Sequence, residues 1–206
     1  MRRFAFALVL PLALAACAGG DNVYASMKDV REFSWTEPGP TKLTLLTVVN
    51  NRGDEGAHSA LMVTGSQRVL FDPAGSWSNP AAPERGDVKY GITPPMLANY
   101  IDYHARPEFR VIVHEMDVTP EMAEMAIRTV EAHGPSNKAT CGRTISGVLR
   151  DMGFTEIGRS WFPKRIMSDF ARLPGVTETV LRDDTDDDYW GVPDAVVDVD
   201  VYDASV

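Results

Sequence analysis

Cys141 stands at the head of TCGRTISGVLRDMGF, and His58 stands near the head of GAHSALMVTG. A cysteine attacks a carbonyl carbon only as thiolate, and two influences lower its pKa most directly: a helix N-terminus and a neighbouring imidazolium. Ile145, Val148, Leu149 and Met152 recur on one helical face, so the cysteine segment reads as an amphipathic helix that stops at Gly153. Cys141 falls in its first turn, with Thr140 as candidate N-cap. The amides of that turn would also face the oxyanion that develops in acyl transfer, and Asn137 and Ser136 are further candidate donors.

The second influence must come from a distant segment brought close in space. HSALMVTG and RVLFDPAG read as two short strands about a Gly65-Ser66 turn, the second ended by Pro73. In that hairpin position 58 comes opposite 73 or 74, so Asp72 lies diagonally beside His58 and can orient its imidazole. Asp72 also has a plain reading as the first residue of an Asp-Pro turn. Cys141, His58 and Asp72 are therefore the candidate catalytic set.

His104, His114 and His133 read as structural residues. His114-Glu115 lacks a second histidine at zinc spacing and lies in a strand pattern, so no metal site is expected. Arg52-Gly53-Asp54 is too short a match to carry meaning, no Gly-Lys-Ser/Thr phosphate loop occurs, and no cofactor is implied.

The compartment decides what the thiol can be. The chain opens MRRFAFALVLPLALAACAGG, two arginines and then an apolar run too short to span a membrane but suited to a secretory leader. Leu14-Ala15-Ala16-Cys17 resembles the cleavage box of bacterial lipoproteins, in which the cysteine becomes the acylated first residue. The plain alternative is a secreted protein cut nearby at an Ala-x-Ala site. Ala18 after the cysteine, rather than Asp, favours the outer membrane. The chain has two cysteines, so a lipid on Cys17 leaves Cys141 without an intrachain disulfide partner. Its plain reading is a small buried hydrophobe.

These features divide the chain into a signal peptide (1–16), a lipidated tether (17–40), a domain (41–182) and an acidic tail (183–206). The tail carries nine of the 29 acidic residues and no basic one. Without it the folded part is close to neutral, with no basic field for nucleic acid. The tail lacks the Gly and closing Glu of a calcium loop, and it is expected to be dispensable for the fold.

Within the domain, KLTLLTVVN and FRVIVHEMDV read as strands, MLANYIDYHAR and TPEMAEMAIRTVEAH as helices, the latter with Thr119 as N-cap and Pro120 in the first turn. The Pro- and Gly-punctuated stretch 76–95 reads as a loop over a site, with Trp77 and Tyr90 shaping a pocket. The remainder reads as acidic and poorly ordered, with VVDVDVY able to add an edge strand. Strands followed by helices indicate an α+β domain with an antiparallel sheet.

A histidine on an early strand, a partner on the next and a cysteine on a late helix is similar to the circularly permuted papain-fold thiol hydrolases. That clan includes lecithin retinol acyltransferase and relatives of the NlpC-type cell-wall peptidases. GAHSALMV matches the histidine strand, VLFDPAGSW the next strand and NKATCGRTISGVLRDMGF the cysteine helix, over roughly residues 43 to 154. The clan's third polar residue is often histidine, where this chain offers Asp72. The resemblance implies a thiol hydrolase or acyltransferase, which the Leu14–Cys17 box would anchor by lipid in the bacterial cell envelope, facing the periplasm, and the protein is expected to be a monomer. Its substrate would be a cell-wall peptide or an acyl lipid. The rival expectation is a non-catalytic envelope lipoprotein that uses the same fold for binding or scaffolding.

Overall fold

A computed structural model describes residues 24–182 and the backbone of residues 200–202. The expected leader, the lipidation residue Cys17 and most of the acidic tail lie outside the described residues.

Lys42–Asn50 (β1) is buried from Leu43 to Val49, its two threonines included, which marks a strand covered on both faces. It pairs with Gly56–Thr64 (β2), which continues into Arg68–Phe71 (β3) through the expected hairpin, with Leu61 opposite Phe71 and Thr64 opposite Arg68. Two short strands, Glu84–Arg85 (β4) and Val88–Lys89 (β5), extend this side of the sheet. Phe109–Asp117 (β6) pairs with the other edge of β1, followed by Thr177–Arg182 (β7) and then Asp200–Tyr202 (β8). Every pairing is antiparallel, in the order β4-β5-β3-β2-β1-β6-β7-β8. The fold is therefore α+β, with one antiparallel sheet and helices packed against it.

The period-two alternation of the strands sends their side chains into two cores. Leu43, Leu45, Leu61, Val63, Val69 and Phe71 point to one face. There they meet Pro120–His133 (α3), Cys141–Asp151 (α4) and Pro163–Phe170 (α5) through Ile127, Ile145, Leu149, Ile166 and Phe170. Leu46, Ala60, Met62, Leu70 and Val111 point to the other, where Pro94–His104 (α2) contributes Met96, Tyr100 and Ile101. Thr119 caps α3 by accepting from the Met122 N–H, and Thr93 caps α2 in the same way from Met96.

Three expectations need correction. Residues 24–40 are not tether but part of the fold. Met27–Phe33 forms a helix (α1) capped reciprocally by Ser26 and Asp29, and Val30 enters the core. The Trp35 carbonyl accepts from the Arg68 N–H, and Glu37 pairs with Arg68 at 2.8 Å. One buried residue in seven is too short a pattern to reveal such a helix, although the Ser-x-x-Asp capping box was visible.

The stretch 76–95 is not an open loop over a pocket. It carries β4 and β5, and both of its aromatics are buried: Trp77 donates to Asn99 Oδ1 and Tyr90 donates to Glu131. Finally, the part after Gly153 is not poorly ordered as far as Arg182, because it supplies α5 and β7. Pro163 at the helix start and the i, i+4 pair Ile166 and Phe170 were the available signals.

Candidate active site

His58 and Asp72 share a face of the sheet. The register of β2 and β3, extrapolated by three residues, puts position 58 opposite 74 and leaves Asp72 on the diagonal, as the hairpin spacing predicts. His58 Nε2 donates to Asp72 Oδ1 at 2.6 Å. A bulge at Ala57, where β1 pairs with His58 and then skips to Gly56, turns the strand directly beside the histidine.

Asp72 is almost wholly buried, and the Tyr100 hydroxyl donates to the same Oδ1 at 3.1 Å. Trp77 packs edge-on against the Tyr100 ring. Gly75 is required here, because a Cβ on it would stand 2.0 Å from Asp72 Oδ2. Burial works to raise the Asp72 pKa, but the bond and charge of His58, aided by Lys89 and His104, hold it below the usual carboxylate value.

Cys141 comes from the opposite face. β3 ends at Phe71, so no strand covers the outer edge of β2 at residues 58 and 59. The N-terminus of α4 packs against β2 there, and the backbone N–H groups of Ser59 and Gly142 hydrogen-bond the thiol. Through this gap Cys141 and His58 interact directly, by hydrogen bonding and by charge. With Nε2–H committed to Asp72, Nδ1 is the ring nitrogen left to exchange a proton with the sulfur.

Charge follows from these contacts. Burial opposes charge on His58, yet Asp72 and Cys141 together push its pKa up to about 10. Burial likewise opposes the Cys141 thiolate, and His58 with the two N–H donors overrides it, lowering the thiol pKa. Each group thus favours the charged form of the other, imidazolium on His58 and thiolate on Cys141.

The helix start differs in detail from the expectation. Thr140 occupies the N-cap position, but its hydroxyl donates to the Asn137 carbonyl at 2.6 Å instead of capping. The Ser136 N–H is likewise committed, to Asp87 Oδ2. With the Ser136 N–H spent on Asp87, the first-turn amides of α4 are the donors that a developing oxyanion beside Cys141 would meet. Gly142 lets the chain at 161–162 close over this turn, since a Cβ would meet the Trp161 carbonyl oxygen at 2.4 Å. Ser146 pins that segment by accepting from the Ser160 N–H, and the buried Asp169 carboxylate accepts from the Gly158 N–H.

Two residues of the site escaped the sequence reading. Tyr100 was hidden as one apolar position of α2, and His104 as a residue at a helix end. The ring of His104 lies parallel to that of His58, with centroids 5.7 Å apart, while its Nδ1–H donates to the Tyr100 carbonyl. Their i, i+4 spacing on a helix was the only available signal. His114 is buried against Phe170 and pairs with Glu178, and His133 packs on Phe71, so neither joins the site. Among the described residues no group of His, Cys, Asp and Glu could hold a metal ion, and no helix is long and apolar enough to cross a membrane.

No family model, no curated protein and no solved structure matches the chain.

Proposed function

We propose that the protein is a thiol hydrolase or acyltransferase in which Cys141, His58 and Asp72 act as nucleophile, proton carrier and orienting carboxylate. The observation that carries this reading is the single connected array from Asp72 through His58 to a thiol at a helix start. Cys141 Sγ attacks an amide or ester carbonyl, and the first-turn amides of α4 stabilise the oxyanion. The His58 imidazolium then gives its proton to the leaving amine or alkoxide, leaving a thioester on Cys141. Neutral His58 takes a proton from water or an acceptor alcohol, which attacks the thioester and restores the thiolate.

The order of histidine strand, aspartate strand and cysteine helix supports a circularly permuted papain-like arrangement. The Leu-Ala-Ala-Cys box supports a protein anchored by lipid at Cys17 in the bacterial cell envelope, facing the periplasm from the outer membrane. A scaffold would have no use for a buried carboxylate, a charged imidazole and a thiolate in one array, and this favours the enzyme over the binding module.

The test is to incubate the purified protein with peptidoglycan fragments and, separately, with p-nitrophenyl acyl esters, and to measure intact mass and product release. A thioester on Cys141 that is absent in Cys141→Ala and accumulates differently in His58→Ala is the expected result. No adduct and no turnover with either class would overturn the proposal.

A further inference from the structure

Phe162 is the most exposed large apolar side chain among the described residues, at 74 %, and Trp161 before it is 53 % exposed. The backbone that carries these two rings is fixed. The Ser160 N–H donates to Ser146 Oγ, the Phe162 N–H donates to Ser160 Oγ, and Pro163 is buried at the start of α5. Gly142 lets the same segment lie directly on α4. The fold thus holds this backbone closely and leaves in solvent two rings whose burial would have stabilised it.

The unbalanced charge around the rings is positive. The Arg143 guanidinium lies 5.1 Å over the Trp161 ring, and Arg159 precedes that ring by two residues. Among the described residues neither arginine has an ion-pair partner. Lys164 and Arg165, which follow Phe162, are balanced by Asp54 and Asp169. Asp151 stands at the far end of α4, about 12 Å from Arg143 at 1.5 Å per residue, too far to neutralise it by pairing. An indole, a bare phenyl ring and free guanidinium groups are the side chains that suit the boundary between acyl chains and anionic headgroups.

We infer that Trp161 and Phe162, flanked by Arg143 and Arg159, form the face on which the domain rests on an anionic lipid bilayer. Phe162 enters the acyl boundary, Trp161 lies at headgroup level, and the two guanidinium groups meet lipid phosphates. The tether favours a bilayer over a protein partner as the occupant. Tyr24, the first described residue, follows Cys17 by seven positions, so a lipid there holds the domain within about 25 Å of the membrane. The inference rests on that proposed anchor for its setting and does not depend on the chemistry of Cys141.

The test reconstitutes the full chain with vesicles of phosphatidylcholine, alone or with about a third phosphatidylglycerol, whose brominated acyl chains quench tryptophan on contact. The emission of Trp161, taken as the difference between the protein and Trp161→Phe, should fall by about half in the anionic vesicles and by less in the neutral ones. Phe162→Asp should abolish that quenching, and the double variant Arg143→Gln with Arg159→Gln should remove the preference for anionic lipid. All four positions are exposed, so the fold tolerates these changes. Trp161 emission that bromine leaves unchanged, quenching that survives Phe162→Asp, or a dimer of the chain that Phe162→Asp dissociates would overturn the inference. Intact mass of the same samples reads the lipid on Cys17, so failure of the anchor and failure of this face are distinguishable.

Discussion

The imidazole rings of His58 and His104 lie parallel, 5° between planes and 5.7 Å between centroids, yet their surroundings drive them to opposite charge states. His58 faces Asp72 and Cys141 and is held protonated, its pKa pushed up to about 10. His104 is half-buried with a backbone carbonyl to receive its proton, and desolvation together with the charge of His58 opposes a second cation, so its pKa falls to about 4. One cation sits at the site, and it sits on the ring that touches both partners.

The first prediction concerns thiol reactivity. Because the Cys141 pKa is lowered by His58, alkylation by iodoacetamide should persist well below the ordinary thiol range. His58→Asn should slow the reaction at pH 6 by about tenfold or more and restore an ordinary profile. Identical pH profiles for the two proteins would break the proposed ion pair. The same linkage stabilises the fold in a window. The raised His58 pKa contributes stability that is lost as pH rises through about 10, and the lowered Cys141 pKa contributes stability that is lost as pH falls through the folded value.

His104 gives an opposite signature in acid. Its folded pKa of about 4 lies below the ordinary value of 6.5, so the unfolded chain binds the proton first as pH falls. Stability should therefore drop by about 3 kcal/mol between pH 6.5 and pH 4 on account of this residue. Urea unfolding of His104→Asn, whose side-chain amide can replace the bond to the Tyr100 carbonyl, should show a shallower loss over that interval. Parallel pH dependence in the two proteins would remove His104 from the account.

Asp72 orients His58, and Tyr100 orients Asp72. Asp72→Asn removes the charge that favours the imidazolium and should lower the rate of acylation by roughly 10² to 10⁴, by analogy with loss of the orienting carboxylate in a triad. Tyr100→Phe deletes one hydrogen bond to Oδ1 and should cost about a factor of ten in the same rate. A Tyr100→Phe effect on stability alone, with thiol reactivity and its pH profile unmoved, would restrict Tyr100 to packing.

Gly142→Ala tests the closure of the 161–162 segment over the helix start. The added methyl would overlap the Trp161 carbonyl oxygen, which is backbone and can yield only if the segment moves. The expected result is a loss of about 1–3 kcal/mol in stability and a faster, less selective alkylation of Cys141. Unchanged stability and alkylation would show that the segment does not hold the site.

The strand and helix patterns, the hairpin register and the helical start at Cys141 are all local properties, and the sequence displayed each of them. Period-two and period-3.6 apolar spacing decide which way a segment turns its side chains, so β1, β2, β3, β6, α2, α3 and α4 were legible, as was the Asp72 to His58 diagonal. The short elements α1 and α5 were not, because seven or eight residues with one or two core contacts leave almost no period to read. The meeting of Cys141 with His58 belongs to the tertiary structure alone. α4 lies on one face of the sheet and His58 on the other, and they touch only because β3 stops short and uncovers the edge of β2. The same holds for Tyr100 and His104, since their approach to Asp72 and His58 arises only when separate segments pack, and no spacing within one segment records it.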